Sequence, residues 1–311
     1  MPKDNVIKFP KNFETLIDQG NHFFDESKWH RAYECYYQAY ELRPTFSLNY
    51  LLSILLSKMG EFGEALALTK EYSEEYLQHG SECTFYYLQL LVKHRDFILA
   101  RRDLKNLRTA KLINVLTAYI QMQEQKMMRH EVQMQAKLRQ VYALVNATPA
   151  EQLHIIAEIK RLPLAVYLQA LTVVLQNDWI NPLYKSELLS YIAPLAVKQK
   201  LAFNWFGQVK TVDLATLPSD FRVISYQTVW TQLTNMALDD PIILLQIQQE
   251  LDLQFILLYP FADEVVQAPA VWLDELLLKY EGQTADTGDK VHLQVRRWQD
   301  KIEAYIAELN M

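Results

Sequence analysis

The sequence predicts an all-α protein: a solenoid of helical hairpins, a long connecting helix, and a second helical module that carries one small β-hairpin. Three observations lead there. An aromatic residue followed one turn later by alanine recurs at Trp29-x-x-Ala32, Phe62-x-x-Ala65 and Phe97-x-x-Ala100, and successive alanines stand 33 and 35 residues apart. A fixed period of this length marks stacked hairpins, each too small to bury its apolar face alone. Second, glycine, proline and capping residues cut nearly the whole chain into segments of helical length. Third, only Leu201 to Phe206 and Val209 to Leu214 read as β-prone runs.

The first hairpin spans residues 13–44. Leu16, Gly20 and Phe23 fall on its first helix and Ala32, Tyr36 and Ala39 on its second, and Pro44 stops the second helix. Gly20 and Ala32 are expected to face each other where the helices cross, with Phe23, Trp29 and Tyr36 filling the sides. The second hairpin pairs 46–59 with 61–77, broken at Gly60, and the third pairs 81–93 with 96–107. These residues and their period, close to the roughly 34 residues of a tetratricopeptide (TPR) unit, resemble the TPR family over about residues 13–107. The resemblance implies a solenoid with a concave groove lined by the first helix of each unit. Counting from the three alanines puts Asn21, Phe24, Tyr50, Ser57, Gln89 and Lys93 at or near that groove as candidate partner-binding residues. One TPR subclass clamps a peptide carboxylate with basic and amide side chains. Here Asn21 fits that pattern, but Ile17, Leu51, Glu82 and Tyr86 stand at the other positions.

From Thr109 to Asn146 no glycine or proline interrupts a helical pattern, which predicts one connecting helix of about 57 Å. A break near Met128-Arg129 is the alternative. The expected organisation is a tail at 1–11, a repeat module at 12–108, the connecting helix at 109–146, and a C-terminal module at 147–311 with its hairpin at 201–214. Within that last module, Thr148-Pro149-Ala150-Glu151 has the order of a capping box, and Pro163, Asn181-Pro182, Asp240-Pro241 and Pro260 mark further helix boundaries. Val291, Val295, Trp298, Ile302, Tyr305, Ile306 and Leu309 form the apolar stripe of a final helix. The features from the connecting helix onward, including Asn181-Pro182-Leu183-Tyr184-Lys185, Leu258-Tyr259-Pro260-Phe261 and Trp272, are similar to a group of TPR-containing proteins of Gram-positive bacteria. That likeness implies a bacterial cytoplasmic protein and brings no activity with it.

Composition narrows the function. A net charge of −6 and a pI near 5.7 argue against a general binder of nucleic acid or anionic membrane. Two cysteines, Cys35 and Cys83, give no disulfide or metal framework. No apolar run reaches the roughly 18 residues of a membrane span. The seven glycines form no phosphate-cradling loop, and the seven histidines show no metal-ligand spacing. No enzyme, cofactor or metal is therefore expected. Lys93, Arg95, Arg101, Arg102, Lys105, Arg108 and Lys111 make a basic stretch, and Arg101, Arg102, Lys105 and Arg108 are its candidate patch for an anionic partner. The leading expectation is a cytoplasmic scaffold or adaptor that holds a peptide or partner helix. The alternatives are a peptide-sensing regulator without its own DNA-binding domain, or an RNA- or ribosome-associated factor that uses residues 93–111.

Overall fold

The computed structural model describes residues 12–236, 240–280, 282–283 and 289–309, so the expected tail and most of the loop at 281–288 lie outside the described residues. Two compact units emerge. The first runs to His130 and takes in Arg161–Leu164, and the second comprises Glu131–Lys160 and Ala165 to the C-terminus.

In the first unit, α1 (Phe13–Asp25) and α2 (Trp29–Leu42) form the first hairpin, and α3 (Phe46–Met59) packs on α2. The partner of α3 is segmented: α4 (Phe62–Thr69), a 3-10 turn at Lys70–Tyr72, then α5 (Ser73–Gln78). The third hairpin is α6 (Ser81–Lys93) with α7 (Phe97–Leu104), and α8 (Ala110–Met128) lies against both. Each boundary has a local cause. Asn12 accepts from the Thr15 N–H at 2.7 Å and Thr45 caps α3, while Gly60 and Gly80 adopt φ of +91° and +100° at the turns. Ala32, Ala65 and Ala100 are completely buried, as small residues at a close helix approach must be. A terminal repeat exposes an apolar face, and α8 covers it with buried Leu116 and Ile120.

Gly20 permits the close approach of Tyr36. A Cβ there would lie 2.5 Å from Cε1 and 2.7 Å from Cδ1 of Tyr36, so the glycine makes room for the tyrosine ring.

The single helix expected over 109–146 is two. α8 ends at Met128, Arg129 and His130 make the turn, and α9 (Glu131–Ala143) begins the second unit. The backbone N–H of His130 bonds to the Met127 carbonyl at 3.2 Å, a tightened last turn where the Gln- and Met-rich stretch leaves few apolar side chains to bury across the junction.

The second unit continues with α10 (Pro149–Lys160), α11 (Leu164–Gln176, apart from its first residue), α12 (Pro182–Ile192), β1 (Lys200–Trp205) and β2 (Gln208–Asp213). Then follow α13 (Ile224–Asn235), α14 (Pro241–Leu258), α15 (Ala262–Val265), α16 (Pro269–Tyr280) and α17 (Lys290–Leu309). The capping box closes as expected, with Thr148 N–H donating to Glu151 Oε2 at 2.8 Å. Strands β1 and β2 pair antiparallel from Lys200 with Asp213 to Trp205 with Gln208. The turn is Phe206-Gly207, both at positive φ (+47° and +75°), the hand that matches strand twist. Trp272 is fully buried, and its indole N–H donates to Gln254 Oε1 at 2.8 Å. On α17, Val295 and Ile302 are buried, Trp298, Tyr305 and Ile306 are half-buried and Val291 is exposed, while the side chain of Leu309, the last member of the expected stripe, lies outside the described residues.

Candidate functional site

The surface of the first unit is set by a polar network buried between α3 and the segments that follow it. Tyr76 on α5 is fully buried and donates from its hydroxyl to Asn49 Oδ1 at 2.9 Å, with Ser53 Oγ 3.0 Å away. Asn49 in turn donates to the Leu68 carbonyl at 3.0 Å and to the Tyr40 hydroxyl at 3.3 Å. Burial pushes the Tyr76 phenol well above its ordinary pKa, so it serves as a neutral donor and not as an acid. The Asn49, Ser53 and Tyr76 groups thus satisfy one another and fix the register of α3 on α5.

Against this frame the six candidate groove residues separate. Tyr50 is half-buried between the rings of Phe46, Tyr76 and Tyr86, and Ser57 Oγ lies 2.8 Å from the Tyr86 hydroxyl. Gln89 is half-buried beside Tyr119. These three belong to the packing of α3, α6 and α8. Phe24 is half-buried with its ring 5.4 Å from that of Trp29. Asn21 and Lys93 are exposed, though Asn21 accepts from the Tyr36 hydroxyl at 2.6 Å and the Lys93 ammonium rides 4.8 Å above the Phe62 ring.

The candidate basic patch is largely spent inside the protein. Arg101 grips the buried carboxylate of Glu124 on α8, which also accepts from the Leu164 N–H at 3.0 Å. Arg102 pairs at 3.2 Å with Asp103, itself buried and bonded by the Tyr87 hydroxyl at 3.2 Å. Burial raises the Asp103 pKa, only partly offset by Arg102 and Tyr87. Lys105 is exposed and has a partner of its own. Arg108 is exposed and lines a hollow of about 480 Å³ with Gln78, Ser81, Thr84 and Asn106. Sequence spacing puts Arg101, Lys105 and Arg108 on one helical face with Asp96 and Asp103 among them, but it could not show that Glu124 of α8 meets Arg101.

In the second unit the hairpin gathers an aromatic cluster that the sequence did not announce. Trp205 packs against Phe206, Phe261 and Trp298, and Phe206 against Trp298 and Tyr305. Three lysines edge it. Lys210 sits over Trp205 and Phe261 while paired with Glu264 at 2.6 Å, Lys301 donates to the Phe206 carbonyl at 2.7 Å, and buried Lys185 donates to the Asn204 carbonyl at 2.9 Å. The nearest signals in the sequence were Asn181-Pro182-x-x-Lys185 and the Tyr-Pro-Phe ending at Phe261. Neither says that α12, the hairpin, α15 and α17 meet. Among the described residues no cluster of three His, Cys, Asp or Glu side chains could hold a metal ion.

Three helical hairpins in phase, a covering helix and a second helical unit with one two-stranded ribbon define a TPR-like helical repeat protein. The chain is similar to the TPR repeat-containing protein YsoA of Bacillus subtilis (strain 168), with 22% identity over 278 residues that cover 85% of this chain and 82% of that protein. The likeness therefore extends beyond the repeats into the second unit. No family model and no solved structure matches the chain. No described helix is long and apolar enough to cross a membrane.

Proposed function

We propose that this chain is a non-enzymatic scaffold or adaptor, acting in the cytoplasm, whose first unit holds a peptide or partner helix against the exposed face of α1, α3 and α6. The observation that carries the reading is the repeat itself: three hairpins whose buried alanines keep one phase, a geometry that stacks first helices side by side into a continuous surface. The TPR name of the similar Bacillus subtilis protein supports a protein partner. Asn21, Phe24 and Lys93 are the groove candidates with side-chain surface to offer, and Tyr50, Ser57 and Gln89 act by holding the helices that present them. An RNA-binding role through residues 93–111 is disfavoured, because Arg101 and Arg102 neutralise Glu124 and Asp103.

Affinity capture from a cytoplasmic extract, read by quantitative mass spectrometry, tests the proposal. Wild-type protein should enrich a defined protein partner, and Lys93→Glu should lower its recovery about tenfold, or 1.4 kcal/mol, with an unchanged circular dichroism spectrum. Co-purifying RNA that Arg108→Glu removes, with no enriched protein, would replace the scaffold by the RNA-associated reading.

A further inference from the structure

The β-ribbon of the second unit has two edges, and the protein covers only one of them. In a hairpin closed by a two-residue turn, residues that bond the partner strand alternate with residues whose N–H and C=O point away from it. The Leu214 N–H donates to the Gln199 carbonyl at 2.9 Å, which puts the pairs Trp205–Gln208, Phe203–Lys210 and Leu201–Val212 in the bonded set. The backbone groups of Lys200, Ala202 and Asn204 on β1, and of Val209, Thr211 and Asp213 on β2, therefore face outward. On β1 the Asn204 carbonyl accepts from Lys185 of α12 at 2.9 Å, and the Asn204 side chain donates to the Gln176 carbonyl at the end of α11 at 2.7 Å. On β2 the Asp213 carbonyl accepts from the Thr216 N–H at 3.2 Å, but among the described residues the outward N–H and C=O groups of Val209 and Thr211 have no partner.

An open edge is a template for another strand unless a proline, a bulge or a charge blocks it. β2 has no proline, and its register runs unbroken from Gln208 to Asp213. Its outward side chains are exposed, Val209 at 75% and Thr211 beside it. Trp179 is 82% exposed and stands between Asp178 and Ile180, which line a small cavity with Lys185, Asn204 and Gly207. Asn204 is the cross-strand neighbour of Val209, so an exposed indole and an exposed valine sit at the same end of the ribbon. Exposed apolar groups beside open backbone groups favour an occupant with apolar side chains of its own.

Lys210 decides between the chain's own copy and another protein. A second copy would pair edge to edge about a two-fold axis. Joining Val209 to Thr211 of that copy sets Lys210 directly opposite Lys210, a destabilising like-charge pair. The next register sets Val209 opposite Asp213, whose carbonyl is already engaged by Thr216. A segment of a different protein escapes both, and an acid opposite Lys210 turns the repulsion into attraction. We propose that the outer edge of β2 takes up an extended segment of another protein as a third, antiparallel strand, held by the N–H and C=O groups of Val209 and Thr211, with apolar side chains beside Val209 and an acidic one opposite Lys210. This surface belongs to the second unit and does not depend on the reading of the first.

The test is hydrogen exchange and chemical shift, read by NMR on the intact 15N-labelled chain. In the free protein the Val209 and Thr211 amides should exchange fast and those of Lys210 and Val212 slowly. Acetyl-Thr-Val-Glu-Val-Thr-amide should shift the Val209 and Thr211 resonances saturably and slow their exchange about tenfold. N-methylation of both valines removes the donors aimed at the edge and should weaken binding about tenfold, whereas N-methylation of the glutamate, whose N–H points away, should leave it unchanged. Lysine in place of the glutamate, or serine in place of both valines, should weaken binding about threefold. Val209 and Thr211 amides already protected in dilute protein, no saturable shift, or equal binding by the doubly methylated, lysine or serine peptides would overturn the assignment. Protection that grows with protein concentration in the absence of peptide would give the edge to a second copy and overturn it as well.

Discussion

At Gly20 a single missing methyl group decides how α1 and α2 pack. The Tyr36 ring occupies the space a Cβ would need, and its hydroxyl reaches Asn21. Gly20→Ala must push a buried ring, so we expect a loss of about 1–3 kcal/mol, seen as a lower urea midpoint for the first unit; an unchanged midpoint would show that the ring can move freely. Two buried acids should respond to pH with opposite signs. Burial raises Asp103, so its contribution is present below the ordinary Asp value near 4 and is lost as pH rises through the higher folded value. Burial also pushes Glu275 up, but hydrogen bonds and charge from Arg296 and His292 outweigh it and hold the carboxyl below its ordinary value. Its contribution is therefore present above about pH 4.3 and lost as pH falls through the lower folded value. Thermal melts from pH 3 to 7 should show Glu275→Gln destabilised at pH 7 with the deficit shrinking toward pH 3. Asp103→Asn, which keeps an acceptor for Tyr87, should match or exceed wild type at pH 7. The reverse pattern would mean that the pairings are wrongly assigned.

Elements were legible in the sequence wherever the local rule and the tertiary outcome agree. The alanine period, the glycine turns, the capping box at Thr148 and the β-hairpin follow from backbone preference and spacing alone, and all recur in the structure. The break at Arg129-His130 was not fixed by local signals, because neither residue is a helix breaker; it falls at the junction between the units. The expected long second helix of the middle hairpin was likewise cut at Lys70–Tyr72, where Tyr72 joins the aromatic cluster around Phe46. The hairpin turn shows the same contest within two residues. Phe206 at φ +47° bears a left-handed penalty of about 1–2 kcal/mol, while its buried ring against Trp298 and Tyr305 is worth about 3–5 kcal/mol by the usual cost of truncating a core Phe. Packing wins on these magnitudes. Phe206→Gly should therefore lower the melting temperature of the second unit despite easing the turn, and a rise on differential scanning calorimetry would show that strain dominates.

For the molecule as a whole, the fold class was read from periodicity, but the candidate site was read only in outline. Spacing assigns residues to a helix face; it cannot say which of them the next helix covers. Tyr50, Ser57 and Gln89, expected at the groove, are drawn into the packing of neighbouring helices, and Arg101 and Arg102 are claimed by acids on the same or a later helix. The Lys185 cavity could not be read at all, since its walls come from residues 178–207 and Tyr305. The most direct measurement of the scaffold claim is photo-crosslinking from single positions in the intact chain. A photoreactive residue at Asp18, Ser47 or Lys93, exposed on α1, α3 and α6, should trap a partner protein in cells, and one at Glu34 or Ala67, exposed on α2 and α4, should not. Adducts from Glu34 and Ala67 alone, or equal adducts from all five positions, would contradict a partner held on the first helices of the repeats.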